Sequence, residues 1–141
     1  MKNSTLIKDS SYAVYGLGLS GYSALNFLKK KNVRKIYTWD DKKNKNNKKK
    51  FNLFKKALDV VDYIVISPGI NIQKTKLKLT LSRNKKKIIT DLDLFYMQKI
   101  SVKSIVITGT NGKSTTCKLM QHIFKTNRLD VQLGGNIGKP I

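Results

Sequence analysis

An α/β fold with mostly parallel sheets is predicted by three observations in this 141-residue sequence. Short β-branched or aromatic runs alternate with segments of helical periodicity from Tyr12 onward. The run Tyr63-Ile-Val-Ile66 is apolar at every position, as in a parallel strand covered on both faces. Two glycine-bearing loops, Gly16-Leu-Gly-Leu-Ser-Gly21 and Gly109-Thr-Asn-Gly-Lys-Ser-Thr115, each stand between a strand and a helix.

Taken in order, Tyr12-Ala-Val-Tyr15 is the first strand, and the helix after its glycine turn carries Ala24, Leu25 and Leu28 on one face. Lys35-Ile-Tyr-Thr-Trp39 is the second strand and ends at Asp40. Residues 41–50 are almost wholly Lys, Asn and Asp and read as a solvated loop. Residues 51–58 have helical spacing, and the Tyr63–Ile66 run stops at Ser67-Pro-Gly69, where Pro and Gly end the ladder. Residues 74–84 suit a helix, although Leu77, Leu79 and Leu81 alternate and would fit a strand equally. Lys87-Ile-Ile-Thr90 is a further strand, and Asp91 is placed to cap a helix through Leu94 and Met97. Ser104-Ile-Val-Ile-Thr108 is then a strand, 113–125 a helix, and a last short strand falls near Val131.

One open sheet rarely needs two phosphate-type loops, so the chain divides near residues 99–103. Residues 1–100 make a complete small Rossmann-like domain. Residues 101–141 have room for two strands and one helix, too little to bury a core alone. They read as the start of a P-loop ATPase-like central domain, and the chain as the N-terminal fragment of a longer protein.

Lys and Arg total 29 against 8 acids, for a formal charge of +21. Such a charge attracts polyanions. Yet the arginines are only Arg34, Arg83 and Arg128, and the densest lysine run, 42–50, interleaves no aromatic residue. Base readout recruits Arg, and single-strand binding recruits stacking aromatics. No specific nucleic-acid partner is therefore expected. Cys117 is the lone cysteine, which excludes an internal disulfide, and no N-terminal apolar run suits a signal peptide or a membrane span. A reduced, cytoplasmic setting without membrane insertion is the expectation.

Gly16-x-Gly18-x-x-Gly21, between a strand and a helix, suits a nucleotide diphosphate. Gly16 allows the tight turn, Gly18 close approach of a pyrophosphate, and Gly21 close helix–strand packing. Asp40, about 20 residues on at the end of the second strand, is where an acid meets a ribose hydroxyl. This loop alone fits an NAD(P)-dependent oxidoreductase or another Rossmann nucleotide binder equally well. In the second loop, Gly109, Thr110, Asn111, Gly112, Lys113, Ser114 and Thr115 form a phosphate cradle at a helix N-terminus. Lys113 would reach the β/γ-phosphates of ATP, and the Ser114 hydroxyl could ligate Mg²⁺. The common G-x-x-x-x-G-K-[ST] pattern places its first glycine at position 107, which is Ile107 here, so this loop is shorter. His122 has no second ligand at metal spacing and reads as structural, as does Cys117.

Four motifs in order resemble the Mur ligases: residues 16–21, Ser67-Pro-Gly-Ile70, residues 109–115 and Gly134-Gly-Asn-Ile-Gly138. Their combination resembles the D-glutamate-adding branch, as does Asp91-Leu-Asp-Leu-Phe95. The resemblance covers nearly the whole chain from Tyr12. It implies an ATP-dependent ligase of peptidoglycan precursor synthesis. ATP phosphorylates the terminal carboxylate of UDP-N-acetylmuramoyl-L-alanine, and the D-glutamate amine displaces phosphate from the acyl phosphate. It implies that the first domain holds UDP rather than NAD. Gly18, Leu19 and Ser20 would lie at the diphosphate, Asp40 (and less directly Asp41) near the ribose, and Ser67, Pro68 and Gly69 near the uracil. Asn136 would sit near the substrate, Lys113 would be catalytic, and Ser114 would touch Mg²⁺. The remaining Mg²⁺ ligands, a modified lysine and the D-glutamate domain would lie beyond Ile141. The fragment is accordingly expected to be inactive alone, and the full-length protein to be a monomer.

Overall fold

The structure, a computed structural model, describes residues 7–98 and 102–135. The chain separates into two compact units, Met1–Lys99 and Ile100–Ile141.

The first unit is a four-stranded parallel sheet in the order β2-β1-β3-β4. The strands are β1 Tyr12–Tyr15, β2 Ile36–Trp39, β3 Tyr63–Ile66 and β4 Ile88–Ile89. β1 pairs in parallel with β2 (Tyr12 opposite Ile36) and with β3 (Tyr12 opposite Tyr63), and β3 with β4 (Ile64 opposite Ile88). The helices are α1 Leu19–Lys30, α2 Lys48–Val60, α3 Lys78–Arg83 and α4 Asp91–Met97.

Side chains on a strand point alternately to opposite faces, and here both faces are covered. Ala13 and Tyr15 of β1, with Ile64 and Ile66 of β3, join Phe54 and Leu58 of α2 and Leu81 of α3 in one core cluster. Tyr12, Val14 and Val65 point the other way and pack with Ala24, Leu25 and Leu28 of α1 and Leu94 of α4. That double covering is why β1 and β3 are apolar without alternation. Leu28 and Leu58 are fully buried. Each such leucine contributes about 2 kcal/mol of hydrophobic stabilisation.

Several local expectations are corrected. α2 starts at Lys48, inside the stretch read as loop, because the Asn47 side chain accepts from the Lys50 N–H at 2.8 Å and caps it. α3 is confined to Lys78–Arg83, with Leu77 and Leu81 buried and Leu79 exposed. β4 is two residues long. Thr90, not Asp91, caps α4: its hydroxyl accepts from the Asp93 N–H, and the Asp93 carboxylate accepts from the Thr90 N–H at 2.7 Å. The reciprocal pair is a capping box, which outcompetes the single acid.

The second unit contains α5, Lys113–Thr126. The expected strands at 104–108 and near Val131 do not form. A strand exists only through a hydrogen-bonded neighbour, and the described residues supply none to this apolar run. α5 likewise has no buried residue, and Leu119 and Ile123 on it are exposed.

Candidate nucleotide site

In the first unit three segments converge beyond the carboxyl ends of adjacent parallel strands. Gly16 follows β1, Asp40 follows β2 and Ser67 follows β3. β1 leads to β2 on one side and neighbours β3 on the other, so the chain reverses direction across the sheet here. Open α/β sheets bind ligands at such a switch point.

The glycines of the loop each meet a different constraint. Gly16 has φ +87°, and a Cβ there would lie 2.9 Å from Cγ1 of Ile70. At Gly21, in the first turn of α1, a Cβ would lie 1.8 Å from the Gly16 carbonyl oxygen. The start of α1 therefore rests directly on the end of β1. Gly18 is the opposite case: nothing stands within 4 Å of where its Cβ would be. It is the N-cap of α1 and offers no side-chain cap, and the first turn carries no acid. The first-turn N–H groups thus face outward with the partial positive charge of a helix start. Leu19 is 84% exposed and Ser20 is half-buried.

Asp40 braces this loop. Its Oδ2 accepts from the Leu17 N–H at 2.7 Å, and its Oδ1 from the Lys42 and Lys43 N–H groups, both at 2.9 Å. Partial burial opposes its charge. The three N–H donors and the nearby Lys43 ammonium outweigh that and hold its pKa below the usual carboxylate range. A carboxylate has about four acceptor positions, so one remains for a hydroxyl after these three.

Asp41, itself exposed, holds two side chains that rise from the core. Its Oδ2 accepts from the Tyr15 hydroxyl at 2.5 Å and its Oδ1 from Trp39 Nε1 at 2.8 Å. The Thr75 hydroxyl also bonds Tyr15, and since Tyr15 donates to Asp41, Thr75 is the donor. Burial first, and the Asp41 carboxylate second, raise the Tyr15 pKa well above the ordinary phenol value. Two of the roughly four acceptor positions of Asp41 are thereby filled. These bonds tie the segment before α3 to the end of β2.

Ser67 donates from its N–H to the Tyr15 carbonyl at 3.0 Å and from its Oγ to the Gly16 carbonyl at 2.8 Å. The Ile70 N–H closes the turn onto the Ser67 carbonyl at 3.0 Å, leaving Pro68 and Gly69 exposed. The serine expected near a base is thus first a fastener of the glycine loop.

Sequence reasoning passed over Lys43. Its Nζ donates to the Leu17 carbonyl at 2.8 Å and stands 4.2 Å from the centre of the Tyr22 ring. The available signal was the turn itself: an Asp followed by N–H groups two and three residues on is an Asx turn. Asn44 completes it, donating from its N–H to the Asp40 carbonyl at 2.9 Å.

The second loop belongs to the other unit. Gly109 has φ +146° and Gly112 φ +76°, and Gly112 is the N-cap of α5, again without a side-chain cap or an acid in the first turn. Lys113 folds back over the loop, its Nζ bonding the carbonyls of Gly109 and, at 3.0 Å, Thr110. Thr110, Asn111, Ser114 and Thr115 are exposed. Left-handed glycines, an uncapped helix start and a lysine over the loop fit a polyphosphate such as ATP. For Mg²⁺ the fit is the Ser114 hydroxyl alone. Among the described residues no group of three or more His, Cys, Asp or Glu could hold a metal. Asn136 lies outside the described residues. No described helix is long and apolar enough to cross a membrane.

Comparison with known proteins bears on both loops. Residues 10–89 match the family described as Mur ligase MurD-like, N-terminal domain. Three curated relatives carry the name UDP-N-acetylmuramoylalanine–D-glutamate ligase. That of Wolbachia pipientis wMel is 35% identical over 144 residues, covering 95% of this chain and 28% of the relative. That of Rickettsia prowazekii (strain Madrid E) is 37% identical over 140 residues, 94% of this chain and 31% of the relative. That of Aquifex aeolicus (strain VF5) is 39% identical over 129 residues, 92% and 29%. The chain spans about 30% of the length of these relatives.

Proposed function

Because the chain belongs to the Mur ligase MurD-like N-terminal domain family, we propose that it forms the uridine-nucleotide-binding part of an ATP-dependent ligase. That ligase adds D-glutamate to UDP-N-acetylmuramoyl-L-alanine in peptidoglycan precursor synthesis, in the cytoplasm and as a monomer when full length. The observation that carries the reading is the convergence of the glycine loop, Asp40 and Ser67 at the switch point of the sheet. The relatives' shared name supplies the substrate class.

In this reading residues 1–100 are the UDP-substrate domain and 101–141 the beginning of the ATP-binding domain. Gly18 leaves room for the diphosphate, which the N–H groups of Leu19 and Ser20 bind. The remaining acceptor position of Asp40 takes a ribose hydroxyl, and the turn at Ser67, Pro68 and Gly69 borders the uracil. In the second unit residues 109–115 hold the triphosphate of ATP. The Lys113 ammonium exchanges its loop carbonyls for phosphate oxygens and offsets their charge, and Ser114 contributes a ligand to Mg²⁺. The Gly134–Gly138 motif, through Asn136, is assigned by resemblance to substrate binding. ATP supplies the activation that an unreactive carboxylate needs, giving an acyl phosphate for the amine to attack.

The test is a titration followed by the fluorescence of Trp39, the single tryptophan, buried at the end of β2. UDP and UDP-N-acetylmuramoyl-L-alanine are expected to bind and NADH to bind far more weakly. Preference for NADH would refute the reading in favour of an oxidoreductase. The 141-residue chain is expected to show no ATP-dependent addition of D-glutamate, since among the described residues none of α5 is buried.

A further inference from the structure

We propose that Lys43 is a diphosphate-binding residue of the first unit, a cation poised beside the start of α1 to meet the phosphates of the uridine nucleotide. The inference rests on the uridine-nucleotide reading above and adds to it a residue outside the glycine motif.

Three observations carry it. The first is where the ammonium is held. Its anchors are the Leu17 carbonyl at 2.8 Å and the Tyr22 ring at 4.2 Å. Leu17 immediately precedes the N-cap Gly18, and Tyr22 lies in the first turns of α1. The two contacts therefore straddle the uncapped N–H groups of the helix start. The second is the nature of those anchors. A carbonyl and an aromatic face are neutral, so they orient the ammonium without cancelling its charge. Asp40, whose charge lies near this ammonium, accepts three N–H groups, those of Leu17, Lys42 and Lys43, and the ammonium's own hydrogen bond goes to the Leu17 carbonyl instead. The third is the open space. Nothing stands within 4 Å of a Cβ at Gly18, and the Lys43 residue is exposed. An anion can approach the helix start from solvent and find both backbone donors and the ammonium.

The arrangement also explains how the turn after β2 is used. The Asx turn at Asp40 fixes the Lys43 backbone, and a flexible four-carbon stem then delivers a point charge to the loop. One side chain thus links the second strand's end to the phosphate side of the first strand's loop.

The experiment compares uridine with UDP, each titrated into the whole chain, its K43M variant and its K43R variant. Circular dichroism checks that all three are folded. A phosphate contact predicts that K43M weakens UDP about tenfold, the scale of one charge-assisted contact. Uridine, which has no phosphate, should change less than about twofold, and K43R should retain UDP within about threefold. A purely structural role for Lys43 would weaken uridine and UDP by the same factor. That result, or unchanged UDP affinity in K43M, overturns the assignment while leaving the uridine-nucleotide reading standing. If the unmodified chain binds no UDP, both fall.

Discussion

Two stretches of this chain look alike on paper and differ in the folded molecule. Tyr63-Ile-Val-Ile66 and Ser104-Ile-Val-Ile-Thr108 share the same Ile-Val-Ile centre. The first is β3, paired on both sides and buried. The second forms no strand, and Ile105 and Val106 are 61% and 76% exposed. The difference teaches that a parallel strand is a property of its neighbours. The same side chains gain nothing when no ladder and no helix receive them.

The two glycine loops repeat the contrast. The loop at 16–21 is locked from three directions by Asp40, Ser67 and the close seat of Gly21 on Gly16. The loop at 109–115 is held by its own lysine and by Thr116, whose N–H and hydroxyl both donate to the Gly112 carbonyl. The largest expected effect comes from adding one methyl group to each loop. Gly21→Ala drives a Cβ into the Gly16 carbonyl and should destabilise the first unit by at least about 3 kcal/mol. Gly112→Ala meets no atom within 4 Å and pays only for its left-handed φ, about 1 kcal/mol at the start of α5. Urea unfolding followed by Trp39 fluorescence should register the first substitution strongly. The second should shift the Trp39 transition by less than about 0.5 kcal/mol. Comparable shifts would erase the contrast.

A smaller effect should come from Asp40→Asn, which replaces a charged acceptor of three N–H groups. About 2 kcal/mol of first-unit stability is expected to be lost at pH 7. The pH dependence sharpens this. The Asp40 pKa is lowered on folding, so its stabilisation is present above the ordinary carboxylate pKa of about 4 and is lost as the pH falls below it. Asp62 behaves alike, held low by the Ser11 hydroxyl and N–H. The variant should therefore lose stability less steeply between pH 5 and about pH 2 than the unmodified chain, the remaining slope reflecting Asp62. An unchanged slope would remove Asp40 as the brace.

Much of the first unit was legible. β1 and β3 follow from apolar runs, α1 from Ala24, Leu25 and Leu28, and the turn between β1 and α1 from the glycine spacing. What was hidden depends on contacts across the fold. A solvated lysine run and the first turn of α2 have the same composition, and only the Asn47 cap distinguishes them. Thr90 and Asp91 are both good caps, and the reciprocal bond with Asp93 decides between them. Asp40, read as an acid at the end of the second strand, does follow β2. That its oxygens would serve Leu17 needed the closeness of two strand ends to be seen. That Asp41 accepts from the Tyr15 hydroxyl and from Trp39 Nε1 also needed the fold to be seen. Lys43 was one lysine among many, and only its contacts with Leu17 and Tyr22 single it out.

The central claim is that the uridine nucleotide is received by the braced loop of the first unit. Amide hydrogen exchange of the chain with and without saturating UDP tests it most directly. Slower exchange is expected at residues 17–22 and 40–44 and at the turn after Ser67, with residues 109–115 unchanged. Protection confined to residues 109–115, or absent from residues 17–22, would contradict it.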